Sequence, residues 1–323
     1  MKDSSDDVQV LVTGSFGQDG RIIHRLCREL GITASGVVRS HHPAIVNPAV
    51  ADEFKSSLRE SKIALLNSLS AREFRRTLAE LRPTIIFHAA GVHGPATKMS
   101  KIENEKRQEM EFVHCEMTEV LLDWVSSNDK NRMIALLSSK MYNGFDFNLE
   151  VTETTPLNPR GYYAETKAKA FEAIIDSRLD GRATAAILFP HTSSLVKGNF
   201  LIQEIMQQFK KVGQDENHLI KLKNVNTSVD ISHAFDACRE IVHVALNKKT
   251  EKFFYGSGNP IPINEIVTSF SKYMGIKEYT LVTQQENEIP YQFLSKKEVE
   301  KIITKRDFLS LHDILREVAK FRS

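Results

Sequence analysis

The chain has 323 residues, 41% hydrophobic and 26% charged, enough for one large domain or two of ordinary size around a sizeable core. Its formal net charge of +2 and its scattered lysines and arginines give no reason to expect a nucleic acid or an anionic membrane as partner. No apolar run reaches membrane-spanning length, and the charged opening MKDSSDD lacks a signal peptide's apolar segment, so a cytoplasmic, enzyme-like chain is expected.

In chain order, VQVLVTG (8–14) predicts a buried strand and GRIIHRLCRELG (20–31) a helix that Gly31 stops. ASGVVRS (34–40) and KIALLN (62–67) predict the second and third strands. SAREFRRTLAELRP (70–83) reads as a helix closed by Pro83, and TIIFHAAG (84–91) as the fourth strand. A helix over 111–128, a strand over 132–139, a helix over 163–178 and a strand over 183–190 follow. Apolar strands alternating with amphipathic helices predict a Rossmann-type α/β fold, a doubly wound parallel sheet covered on both faces. Beyond residue 190 the regularity weakens, with helices expected at 199–213, 232–248 and 263–275. The expected division is a dinucleotide-binding domain over 1–190 and a smaller, mixed α/β substrate-binding portion over 191–323, some of whose segments return to the sheet. Cys27, Cys115 and Cys238 are far apart and not at metal-ligand spacing; reduced packing residues and no metal site are expected.

VLVTGSFGQDG places Gly14, Gly17 and Gly20 between the first strand and the first helix. Gly14 suits the tight turn, Gly17 the approach of a pyrophosphate and Gly20 close helix–strand packing, while the helix N-terminus offers amides and a positive dipole end. At the end of the second strand a carboxylate would bind the ribose hydroxyls of NAD, and a cation the extra phosphate of NADP. Arg39, followed by Ser40, His41 and His42, favours NADP, with NAD as the other option and a solvated surface arginine as the structural alternative.

Tyr163 and Lys167 lie one helical turn apart, downstream of a strand ending at Ser138 and Ser139. A lysine ammonium near the phenol stabilises the phenolate. Tyr163 then exchanges a proton with a substrate hydroxyl while a hydride moves to or from nicotinamide, and Ser138 bonds the same oxygen. His93, just past the fourth strand, is a candidate substrate contact, whereas His88 reads as a packing and hydrogen-bonding residue. Tyr142 and Tyr162 are candidate pocket walls.

These motifs resemble the extended short-chain dehydrogenase/reductases, and among them are most similar to the GDP-mannose 4,6-dehydratases. The resemblance rests on TGSFGQDG with its Gln18–Asp19 pair, VTETTPLNPRGYYAETKAKA, SLVKGNFLIQEI and DISHAFDA. It implies an NAD(P)-dependent enzyme acting on a nucleotide sugar, with Ser138, Tyr163 and Lys167 as the redox set. It also implies that Phe16, Gln18, Asp19, Asn67, Ser68, Ala89, Ala90 and, besides their redox role, Tyr163 and Lys167 lie against the dinucleotide, and Ser139 and His191 against the substrate. Helices 111–128 and 163–178 resemble those that pair such proteins into homodimers or homotetramers.

The departures bear on the reaction. Lys140 stands where the retaining dehydratases carry the glutamate that removes a proton from sugar carbon 5; it is either a base, if burial depresses its pKa, or a lysine that turns outward or binds a phosphate. Pro190, Leu195, Val196 and Val229 replace polar or cationic residues of the sugar-nucleotide site, which points to a nucleotide sugar other than GDP-mannose. The leading expectation is redox chemistry at sugar carbon 4, as a ketoreductase or an epimerase. A 4,6-dehydratase using Lys140 and a non-catalytic dinucleotide-binding sensor are the alternatives.

Overall fold

The computed structural model describes residues 8–40, 61–92, 101–196, 200–215, 217–284, 289–302 and 309–320. Seven strands build the main sheet: β1 (Val10–Thr13), β2 (Ala34–Arg39), β3 (Ile63–Leu66), β4 (Ile85–His88), β5 (Arg132–Ser138), β6 (Ala183–Leu188) and β7 (Lys252–Tyr255). Their order is β7-β6-β5-β4-β1-β2-β3. Parallel registers pair Val10 with both Ala34 and Ile85, Gly36 with Ile63, and Ile85 with Arg132. Every residue of β1, β4 and β6 is buried, which is why these strands read as continuous apolar runs rather than alternating ones. The chain leaves β1 in one direction and returns to β4 on its other side, so the crevice of a doubly wound sheet opens at the carboxyl ends of β1 and β4.

Among the described residues the helices of ten or more residues are α1 (Gln18–Glu29), α2 (Ala71–Leu81), α3 (Lys101–Met110), α4 (Met117–Ser126), α5 (Tyr162–Asp176), α6 (Leu201–Val212), α7 (Ala234–Asn247), α8 (Ile263–Met274) and α9 (Leu311–Lys320). The termini follow the local chemistry. Ser70 caps α2 by accepting from the Glu73 amide, and Arg82, in the left-handed region just before Pro83, ends it. In place of one helix over 111–128, α3 and α4 are joined by a six-residue π-helical turn, Glu111–Glu116.

The chain forms two compact units interleaved along its length. Met1–Met141, Pro159–Ile187 and Cys238–Phe253 make the first; Tyr142–Asn158, Leu188–Ala237 and Phe254–Ser323 make the second. Cys238–Phe253 is the segment beyond residue 190 that belongs to the first unit, and Tyr142–Asn158 the earlier segment that belongs to the second. The second unit has its own core, in which Ile205, Phe209, Ile266, Phe270 and Leu315 bring α6, α8 and α9 together. Its turns are tied by Asp230, a fully buried carboxylate that accepts from the Ser257 amide and hydroxyl at 2.8 and 2.6 Å, the Gly258 amide at 3.1 Å and the Leu294 amide at 2.9 Å. His233 donates from Nε2 to Glu317 at 2.5 Å, and Ser194 donates its hydroxyl to the same carboxylate at 2.6 Å. Those bonds, the His233 bond foremost, hold the Glu317 pKa down at about 2.

Candidate active site

The glycine loop is built by close backbone approach. Gly14 has φ +68°, and a Cβ there would lie 2.7 Å from the Ala90 Cα; one on Gly20 would lie 2.3 Å from the Gly14 carbonyl oxygen. Gly17 opens α1 in extended backbone. A bare-backbone turn leading into a helix N-terminus at the sheet's crevice fits the pyrophosphate of a dinucleotide. Phe16 is half-buried beside it, and Gln18 donates from Nε2 to Asp19 at 3.1 Å.

The other strand ends that the sequence singles out are each engaged. Asn67 and Ser68, after β3, both donate to Glu73: the Asn67 amide at 3.0 Å, the Ser68 amide at 3.0 Å and the Ser68 hydroxyl at 2.7 Å. These bonds, led by the Asn67 amide, lower the Glu73 pKa to about 2. After β4, the Ala90 amide donates to the Thr13 hydroxyl at 3.2 Å, and Ala89 and Ala90 back the Gly14 turn. Arg39, at the end of β2, is paired with the Glu109 carboxylate of α3.

Ser138, Tyr163 and Lys167 fall in the same unit as the glycine loop. The Tyr163 phenol is hydrogen-bonded to Ser138, but burial dominates and pushes the phenol up to about 12; the Ser138 bond lowers it and the Asp19 carboxylate raises it further. Lys167 is buried and donates to the Leu136 carbonyl of β5 at 3.1 Å. Burial brings its ammonium down to about 8. In this pocket the cost of desolvating the charged form outweighs its neighbours, and Tyr163 rests as a phenol.

Beneath this set lies a hydrogen-bonded arrangement that sequence reading reached only in part. His88 accepts on Nδ1 from the Thr13 hydroxyl at 2.8 Å and donates from Nε2 to the carbonyl of Val113, in the π turn, at 3.0 Å. Its pKa is lowered to about 3, chiefly by burial and then by the Lys167 charge, so it is neutral. His114, in the same π turn, accepts on Nε2 from the Val92 amide at 3.1 Å. An amide only donates, so the imidazole proton sits on Nδ1 and goes to the Thr166 hydroxyl at 2.8 Å. Thr166 in turn donates to the Tyr163 carbonyl at 3.1 Å, and the His114 ring meets the Tyr163 ring edge-on at 5.5 Å. His88 and His114 thereby tie the end of β4 and the π turn to the first turn of α5. Two polar residues in EFVHCE and FHAAG are the available sequence signal, and nothing local says that they face one helix.

Of the remaining candidates, Ser139 is buried, in a short 3₁₀ turn over Ser139–Tyr142, and Lys140 in that turn is exposed, its amide donating to the Ser138 hydroxyl at 3.2 Å. Burial therefore does not prepare Lys140 as a base. His191, half-buried in the second unit, bonds through Nδ1 to the Phe189 carbonyl at 2.8 Å. His93 lies outside the described residues, as do His41 and His42. Tyr162 is turned away from a pocket-wall role: its hydroxyl donates to Glu111 at 2.9 Å and the Arg107 guanidinium lies 4.9 Å over its ring. Tyr142 is a buried core side chain.

Against known proteins, the chain is 25% identical over 276 residues to a GDP-mannose 4,6 dehydratase of Dictyostelium discoideum, covering 82% of this chain and 76% of that protein. Among solved structures it superposes on the UDP-glucuronic acid 4-epimerase of Bacillus cereus in complex with UDP-glucuronic acid and NAD with a TM-score of 0.78 at 16% identity, covering 97% of this chain and 98% of that one. On the dTDP-glucose 4,6-dehydratase of Bacillus anthracis in complex with NAD the TM-score is 0.76 at 14% identity, covering 97% and 96%. A model of the NAD dependent epimerase/dehydratase family matches residues 10–256. The resemblance of the sequence motifs to extended short-chain dehydrogenase/reductases and the Rossmann-type sheet agree with that match: the chain belongs to the NAD dependent epimerase/dehydratase family.

Proposed function

We propose that this protein carries out dinucleotide-dependent redox chemistry at carbon 4 of a nucleotide-activated sugar, its net reaction a ketone reduction or an epimerisation. The observation that carries the reading is the Tyr163 phenol bonded to Ser138, with Lys167 buried one turn along the same helix. A bound nicotinamide supplies or accepts the hydride. The protein's own groups handle the oxygen and its proton. Tyr163, resting as a phenol, gives its proton to the oxygen of a keto sugar, and Ser138 holds that oxygen in place. In the reverse direction Tyr163 takes the hydroxyl proton, and the ammonium of Lys167 favours the phenolate that this step requires.

The cofactor is a nicotinamide dinucleotide bound at Gly14, Gly17 and Gly20. The substrate class is supported by the named relatives, which act on GDP-, UDP- and dTDP-sugars. Ser139, His93 and His191 remain candidate substrate contacts, and a cytoplasmic homo-oligomer belongs to the same proposal. A 4,6-dehydratase is the second reading, supported by the relative named GDP-mannose 4,6 dehydratase, with Lys140 as its candidate base.

The test is reaction of purified protein, supplied with NAD(H) or NADP(H), with a panel of nucleotide sugars and their 4-keto-6-deoxy derivatives in deuterated water, with products separated by chromatography and read by mass spectrometry. Gain of two hydrogens on a keto sugar, or an epimer of unchanged mass, supports the leading reading. Loss of water with deuterium at carbon 5 replaces it with the dehydratase and assigns Lys140 as the base. Absence of turnover on the whole panel despite cofactor binding rejects both.

A further inference from the structure

Arg39 sits where a dinucleotide fold distinguishes NAD from NADP, and as a cation it favours the latter. Its guanidinium, however, is paired with the carboxylate of Glu109, which reaches it from α3, and the pair is partly withdrawn from water, with side-chain exposures of 39% and 16%. We infer that Glu109 sets the cofactor preference of this protein, favouring NAD over NADP by holding Arg39 in that ion pair. The inference rests on the dinucleotide reading above.

The physical argument is one of charge. The additional phosphate of NADP is close to a dianion at neutral pH. To use Arg39 it must displace Glu109, leaving a shielded carboxylate without its cation, or settle beside the intact pair and face that carboxylate. Both routes bring like charges together where solvent screens them poorly. The ribose of NAD instead offers hydroxyls, which donate to a carboxylate without adding charge. Glu109 thus supplies from a helix the acceptor that a strand-end Asp or Glu supplies in NAD-selective sheets.

Equilibrium titration of the full chain with NAD and with NADP, by calorimetry and by shift of melting temperature, tests this apart from turnover. The wild-type protein is expected to bind NAD about tenfold or more tightly than NADP. Glu109→Gln is expected to move that ratio toward NADP by about tenfold or more, and adding Arg39→Ala to it to cancel the gain. Arg39→Ala alone is expected to leave the wild-type preference in place, which keeps the test decisive if Glu109→Gln does not fold. Equal or tighter NADP binding by the wild type overturns the inference. So does an unmoved ratio in Glu109→Gln, or a selective loss of NADP binding in Arg39→Ala. Binding of neither dinucleotide overturns the dinucleotide reading along with it.

Discussion

The Tyr163 phenol is hydrogen-bonded to Ser138 while burial holds its pKa at about 12. Tyr163 therefore rests as a proton donor. Tyr163→Phe is expected to lower kcat by roughly 10²- to 10⁴-fold, the contribution of a positioned acid–base group, with dinucleotide binding retained. Ser138→Ala is expected to lower kcat by about 10²-fold through loss of one donor to the substrate oxygen. Steady-state rates on an accepted sugar, beside a cofactor titration of each variant, check this; unimpaired turnover by Tyr163→Phe removes Tyr163 from the chemistry.

Burial lowers the Lys167 ammonium to about 8. Protonated Lys167 is the form that favours the phenolate, so it predominates below that pH and is lost above it. Hydroxyl oxidation needs the Tyr163 phenolate together with the Lys167 ammonium, so its rate is expected to rise with pH and to level off above about 8, where loss of the ammonium offsets the gain in phenolate. Lys167→Arg, cationic across that range, should remove the levelling, so that the rate goes on rising past that pH even where its absolute value is lower.

His24 and His88 are buried and held neutral, with pKa values of about 4 and about 3 against 6.5 for a free imidazole. Below pH 6.5 the unfolded chain takes up protons that the folded chain refuses, so the stability is complete above 6.5 and is lost as pH falls toward those folded values. Each histidine should cost about 1.4 kcal/mol per pH unit in that window. Urea unfolding at stepped pH reads the slope; His88→Asn is expected to be less stable at neutral pH and to show a shallower acid dependence than the wild type.

His114→Phe leaves the Val92 amide and the Thr166 hydroxyl without their imidazole partner. A loss of roughly 1–3 kcal/mol is expected for the unpaired amide, together with reduced turnover from a displaced Tyr163. His114→Asn, which can both donate and accept, should restore part of each. Denaturant midpoints and kcat measured on the same preparations decide it, since a purely structural role leaves kcat of the folded fraction unchanged.

Much of the sheet was legible because β1, β2, β4, β5 and β6 are short, apolar and punctuated by Gly and Pro. The glycine loop and the Tyr–Ser–Lys set were legible because each rests on short spacings or on chain order. What escaped has non-local causes. KIENEKRQEM (101–110) carries no apolar stripe, yet it is helical. KFFY (252–255) is too short to announce that it extends the main sheet. The partner of Arg39 lies seventy residues away at Glu109, so the strand-end cation was visible and its neutralisation was not. Likewise the resting protonation of Tyr163 depends on depth of burial, which the Tyr–Lys spacing does not encode.

The π turn over Glu111–Glu116 amounts to a phase slip in an otherwise continuous rod. Each residue advances an α-helix by about 100°, so removing one residue from this turn would swing every upstream side chain about 100° around the axis. Glu109 would leave Arg39, and Arg107 would leave the Tyr162 ring, in a single stroke. Point substitutions here edit one contact at a time. A change of length re-addresses the whole face, linking the cofactor end of the helix to the start of α5 through its register.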